Sequence, residues 1–158
     1  MRRANPGAEE YLNSEKYEIK QWDLGRADSL AGFIARVNAA RRENPALQSD
    51  RGLMFIPTDN PELIAYAKVE QGDGTNAVIV VVNLDLHYVQ SGWLTLDLAA
   101  LGLDEKQPFQ VHDRLSGARY LWSGPRNYVE LDPARLPAHI FLVRGAVHSE
   151  LDFDNEGA

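Results

Sequence analysis

The hydrophobic pattern of this chain changes period once, sharply, near residue 50. Over residues 28–44, "DSLAGFIARVNAARREN", Leu30, Phe33, Ile34 and Val37 fall at i, i+3, i+4 and i+7, which predicts one helix with a single apolar stripe. Asp28 or Ser29 stands where an N-cap is needed, and Arg41 and Arg42 complement the negative end of the helix dipole. Pro45 ends the helix, because the residue before a proline is pushed out of the helical region. From Arg51 onward the pattern predicts short strands over 53–56, 63–69, 77–83, 92–98, 109–113, 118–122, 127–131 and 138–144. The separators "TDNPE", "QGDGTN", "LSGA", "SGPRN" and "DPARLP" are turn signals, and "QGDGTN" suits a hairpin because glycine and aspartate accept positive φ at low cost. Regularly spaced strands with Gly/Pro turns predict a mainly β chain folded as an antiparallel β-sandwich. "AVIVVVN" is apolar on both faces, so it should be central and covered twice. The helix stripe also needs a partner, either the sandwich or a preceding domain.

Strand alternation sorts the aromatic residues. Leu94, Leu96 and Leu98 share a face, which places Trp93 with Thr95 and Asp97; Val129 and Leu131 share a face, which places Tyr128 with Glu130. Trp93 and Tyr128 are therefore expected on the polar side, where a large ring either packs against a neighbouring domain, the preferred reading, or stacks on a sugar. Tyr120 and Trp122 share a face with Ala118 and are core candidates.

Composition narrows the function classes. The 158 residues carry a formal net charge of -7, which argues against non-specific binding to nucleic acid or to an anionic membrane surface. No apolar run has the length of a membrane span, and the two arginines near the start have no apolar stretch behind them, so no secretory signal is read. The absence of cysteine excludes disulfides and thiolate metal sites and fits a cytoplasmic location. His87, His112, His139 and His148 show no ligand spacing, so no metal site is expected. Asn83, Asp85 and His87 alternate at a strand end and read as a turn before they read as a site. Asp23, near the helix start, reads as a loop or capping residue.

The opening is unusual. Residues 1–27 are polar and irregular, and "SEKYEIKQWDL" crowds charges, a tyrosine and a tryptophan ahead of the first regular element. The stretch reads as an internal loop rather than as a true beginning. After Gly145 the tail "AVHSELDFDNEGA" is acidic and expected to fray.

Several segments together carry a family resemblance: "EEYLNSEKYEIKQWDL", "FIARVNAARRENPALQ", "VVVNLDLH", "SGWLTLDLAALGL", "PFQVHDRLSGARYLWSGPRNYVELDP" and "PAHIFLVR". They run in order from Glu9 to Arg144 and resemble the alpha-1,4-glucan:maltose-1-phosphate maltosyltransferases, of the alpha-amylase-like glycoside hydrolase clan. The run Arg42 to Leu47 recurs after the last barrel helix across the wider clan. The "EEYLNSEKYE" and "ARYLW…NYVELDP" segments are more particular to the maltosyltransferases.

The resemblance implies a (β/α)8 barrel followed by an all-β domain. Residues 1–48 would be the last loop and helix of the barrel, 49–145 the C-terminal sandwich and 146–158 an acidic tail. It also implies a retaining transfer of maltosyl from alpha-maltose 1-phosphate to the non-reducing end of an alpha-1,4-glucan, with release of phosphate and without a cofactor. The family's aspartate nucleophile and glutamate acid/base would lie upstream, on the barrel, so no catalytic residue is assigned here and the isolated chain is expected to be inactive. By resemblance, Lys16 and Tyr17 match a Lys-Tyr pair that helps line the donor pocket; without the family, the same pair reads as a solvated loop. The implied partners are the upstream barrel, the glucan and maltose 1-phosphate in the complete enzyme, and a second copy, since the family is often homodimeric through largely upstream contacts. Two other readings stand beside the enzyme part: a stand-alone sandwich that binds glycan through Trp93 or Tyr128, and a purely structural domain that covers the barrel.

Overall fold

In the computed structural model, residues 19, 21, 23–70 and 76–146 are described. The chain divides into two units, residues 1–31 and 32–158. In the first, Arg26 pairs with Asp28 at 2.7 Å. The Ser29 hydroxyl accepts the Ala31 N–H at 3.2 Å, so Ser29 rather than Asp28 caps the helix that follows. Asp23 accepts the Gly25 N–H at 2.9 Å, the loop role its position suggests.

Helix α1 (Ala31–Glu43) is followed by a 3-10 turn (Pro45–Gln48). The strands are β1 (Leu53–Phe55), β2 (Leu63–Val69), β3 (Ala77–Asn83), β4 (Gln90–Thr95), β5 (Phe109–Asp113), β6 (Arg119–Trp122), β7 (Arg126–Leu131) and β8 (Ala138–Ala146). Six strands form one antiparallel sheet in the order β1-β2-β3-β8-β5-β6, and β4 pairs with β7 in a second sheet. The "QGDGTN" turn between β2 and β3 lies almost wholly outside the described residues, as does the acidic tail.

Strand β3 sits inside the large sheet, between β2 and β8, and both of its faces are buried. Ala77, Ile79 and Val81 point into the core between the sheets, against Leu94, Leu96, Leu98, Val129 and Leu131. Val78 and Val80 point the other way, into a second cluster with Ile140, Leu142 and Ala40. The helix closes that second face, with Phe33 and Val37 packed against the cluster. The buried stripe is thus Phe33, Val37 and Ala40. Leu30 precedes the first helical residue, and Ile34, one position round from Phe33, is 52% exposed.

The small sheet is tied on by side chains from the turns. In "TDNPE", the Asn60 carboxamide donates to the Ser91 carbonyl at 2.8 Å and to Gln90 Oε1 at 3.0 Å, and it accepts the Glu62 N–H at 2.9 Å. Gly92 packs so closely here that an added Cβ would lie 2.9 Å from Asp59 Oδ1 and 3.1 Å from Asn60 Cβ. At the same end of the sheet, where Leu63 pairs with the last residue of β3, Asn83 Nδ2 donates to the carbonyls of Tyr88, at 3.0 Å, and Leu131, at 3.1 Å.

Past the helix C-terminus the backbone of Asn44 turns extended, as Pro45 requires. Its side chain is fully buried: Nδ2 donates to the Ala40 carbonyl at 2.7 Å, and Oδ1 accepts from Asn76 Nδ2 at 3.2 Å. Asn76 Oδ1 in turn accepts the Ala46 N–H at 3.1 Å. Two asparagines therefore fasten the helix end to the turn end of the β2–β3 hairpin. Replacing Asn44 by alanine leaves buried groups unpaired and should lower the unfolding free energy by about 1–3 kcal/mol. Urea denaturation of the chain measures this, and an unchanged midpoint would show that these bonds contribute nothing.

Candidate functional site

Trp93 and Tyr128 are brought together. Antiparallel pairing of β4 with β7 sets them directly opposite each other, and their rings meet edge to face with centroids 5.5 Å apart. They are 41% and 48% exposed, on the side away from Leu94 and Val129, as strand alternation requires. The register also places Arg126 opposite Thr95, two residues along the same face, and its guanidinium lies 5.1 Å from the centre of the Trp93 ring. Asp59 completes the group: it accepts the Trp93 N–H at 2.7 Å and pairs with Arg126 at 3.4 Å. One face of Trp93 is therefore occupied by a cation, whereas Tyr128 is held only from its Trp93 side by this group.

A second constellation was not foreseen from the sequence. Asp113, at the end of β5, is almost wholly buried and accepts the N–H groups of Leu115 at 3.1 Å, Ser116 at 3.2 Å and Ile140 at 3.2 Å. It also accepts the Ser116 hydroxyl and His139 Nδ1, the latter at 2.8 Å. Burial is the largest single influence on the Asp113 carboxyl and pushes its pKa up. The bonds from His139, Ser116 and the Leu115 N–H together outweigh burial and hold it below the ordinary aspartate value. His139, so anchored, stacks on Phe141 with ring centres 4.9 Å apart, and its Nε2 approaches the Glu130 carbonyl at 3.4 Å. The available signal was "DRLSG": an aspartate followed at three residues by serine and then by Gly117, whose φ of 81° suits glycine in a tight turn.

The remaining sequence candidates divide cleanly. Lys16 and Tyr17 lie outside the described residues, as does His148. Asn83, Asp85 and His87 form a turn: Asn83 Oδ1 accepts the Asp85 N–H at 2.8 Å, and Asp85 accepts the N–H groups of His87 at 2.8 Å and Tyr88 at 3.2 Å. The His87 N–H, followed by Gln90 and the Tyr88 N–H, lowers the pKa of this half-buried carboxylate despite its partial desolvation. His112 Nε2 lies 2.6 Å from Gln110 Oε1. Among the described residues no group of three or more histidines and carboxylates is placed to hold a metal, and no helix is long and apolar enough to cross a membrane. Trp122 is core as expected, but Tyr120, on the same face, is 41% exposed because β6 is an edge strand.

Residues 55–143 match the family described as "GLGE, C-terminal". The alpha-1,4-glucan:maltose-1-phosphate maltosyltransferase of Corynebacterium glutamicum is 49% identical over 142 residues, covering 87% of this chain and 21% of that protein. Its namesake in Salinibacter ruber is 47% identical over 142 residues, covering 90% and 21%. Maltosyltransferase 1 of Streptomyces coelicolor is 46% identical over 149 residues, covering 92% and 22%. The chain thus spans about a fifth of the length of these curated relatives. Among solved structures, the maltogenic alpha-amylase AmyB of Thermotoga neapolitana aligns with a TM-score of 0.51 at 15% identity, covering 69% of this chain and 24% of that one, a likeness of fold.

Two outcomes follow from the geometry. Because the Asp113 pKa is lowered on folding, its contribution is fully present above the ordinary aspartate pKa of about 3.9 and is lost as pH falls through its lower folded value. Thermal melts from pH 7 to pH 2.5 should therefore show a fall in Tm below about pH 4 that is smaller in Asp113→Asn, which should itself be less stable at pH 7 by about 1–3 kcal/mol. Equal acid slopes would remove Asp113 from the acid transition. Trp93→Ala, which removes the ring contact with Tyr128, should cost about 0.5–1.5 kcal/mol beyond lost area, read by a double-mutant cycle with Tyr128→Ala. Additive effects would show the ring pair to be incidental.

Proposed function

This chain belongs to the GLGE C-terminal family, and on that premise we propose that it is the C-terminal portion of a retaining maltosyltransferase. The observation that carries the proposal is the family match over residues 55–143, together with relatives at 49%, 47% and 46% identity named for that activity. The complete enzyme takes maltosyl from alpha-maltose 1-phosphate. A carboxylate displaces phosphate to form a covalent glycosyl-enzyme, and the terminal 4-hydroxyl of an alpha-1,4-glucan then takes the sugar as its proton passes to the second carboxyl. Both carboxyls belong to the upstream barrel, the partner of this domain, so the isolated chain is inactive. Residues 1–48 carry the last loop and helix of the barrel, a helix that also covers the outer face of the sandwich of residues 49–145, and 146–158 are the tail. Lys16 and Tyr17 lie on the last loop of the catalytic face, where an ammonium and a phenol donate to hydroxyls of the donor sugar. The enzyme works in the cytoplasm and assembles as a homodimer through upstream domains.

Exposed apolar side chains support a domain that packs against a larger body. Phe55 on β1, and Leu86 and Tyr88 in the loop after β3, are each at least 70% exposed.

In the complete enzyme, Lys16→Ala should lower kcat/KM for maltose 1-phosphate by at least about tenfold, with Tm unchanged. Unaltered kinetics would remove Lys16 from the donor pocket. The 158-residue chain alone should release no phosphate from maltose 1-phosphate in the presence of glycogen, and release would overturn the upstream placement of the catalytic carboxyls.

A further inference from the structure

Two strands cannot cover six. Strand β7 has β4 on one side only, and beyond its free edge part of the inner face of the large sheet stays open. The opening is a cleft of about 310 Å³, within the size range of small-molecule sites. Strand β6 contributes Tyr120 and Trp122, β8 contributes His139 and Phe141, and β7 contributes Tyr128 and Glu130. A second hollow shares Tyr120, Glu130 and His139 with it and extends the groove to Arg36, Asp132 and Arg135.

We infer that this groove binds a segment of alpha-1,4-glucan, with Tyr120 and Tyr128 as its two aromatic platforms. Both rings are nearly half exposed yet held in place: Tyr120 stands edge-on to Phe141 at 5.9 Å and Tyr128 edge-on to Trp93 at 5.5 Å. Pre-set rings lose little freedom on binding, and their flat apolar faces match the C–H faces of a pyranose while the phenols bond to its hydroxyls. His139 is fixed by Asp113 at Nδ1, by the Glu130 carbonyl near Nε2 and by Phe141 across its ring, which makes it a rigid wall of the groove. The charged lining holds two carboxylates, Glu130 and Asp132, and two guanidinium groups, Arg36 and Arg135. Opposite signs in equal number favour an uncharged polyhydroxylated ligand over a phosphorylated one. An extended peptide pairing with the β7 edge is the weaker fit, because His139 Nε2 already approaches the Glu130 carbonyl there. Trp93 serves as the buttress of Tyr128, with Arg126 over its own ring. The sugar class rests on the groove; the alpha-1,4 linkage rests on the maltosyltransferase reading.

The test is affinity electrophoresis of the 158-residue chain in glycogen-containing gel, followed by titration with maltoheptaose and, in parallel, with cellohexaose and an extended β-branched hexapeptide. Retardation by glycogen and binding of maltoheptaose at about millimolar concentration are expected, each weakened at least about tenfold by Tyr120→Ala and by Tyr128→Ala, read well below the melting temperature of each variant so that both remain folded. Leu121→Ser, on the opposite face of β6, should leave both intact. Should an alanine variant fail to fold, Tyr128→Phe and Glu130→Gln keep the packing and are expected to weaken binding. No binding of maltoheptaose, binding that survives the substitutions, or binding of cellohexaose or the peptide alone would overturn the inference. Phosphate release by the complete enzyme reads the maltosyltransferase reading separately, so either can fail without the other.

Discussion

Strand β3 has no polar face, and most of the architecture answers that fact. Val78, Ile79 and Val81 are completely shielded from solvent, so neighbouring side chains on both sides of the sheet must be apolar and something must lie over each side. On one side the cover is β4, β7 and the leucines that follow β4; on the other it is α1. An ordinary sandwich strand, apolar on one face only, would have no use for the helix. Here the helix supplies a third layer, and the alanine at position 40 lets it approach the valines closely.

The polar joints are as specific as the apolar layers. Asn44, Asn60, Asn83 and Asp113 each gather backbone groups that would otherwise be stranded at an element end. Asn44 and Asn83 stand where the chain leaves one layer for another, Asn60 ties the turn before β2 to β4, and Asp113 ties the turn after β5 to β8. Among the described residues no buried side-chain nitrogen or oxygen is left without a partner.

Much of this was legible from the sequence. Strands 63–69, 77–83 and 109–113 fall where their alternation and flanking turns place them, and the covered status of "AVIVVVN" follows from its composition. The polar side of Trp93 and Tyr128 was readable because the leucines and valine beside them fix the opposite parity. Strand order was not, since insertion of β8 between β3 and β5 depends on contacts far apart in the chain. Nor was the burial of Asn44 and Asp113, because a buried joint and a solvated turn use the same residue types. Tyr120 and Trp122 share a parity but differ in exposure, which depends on lateral position at a sheet edge and leaves no periodic trace. The aromatic pair could be sorted to a face by pattern; its cation and its buttressing role could not.

The helix on the outer face also bears on what counts as a module. The stretch that matches the family begins at residue 55, but the valines of β3 and Ile140 and Leu142 of β8 find their outer cover in residues 33–40, and the two asparagines lock that cover in place. The family match and the packed layers therefore draw different borders. A protease that nicked the chain between residues 48 and 53 would not liberate a finished sandwich. Loss of the helix after such a cut would lay bare an apolar sheet face, a surface of the kind that recruits its own copies.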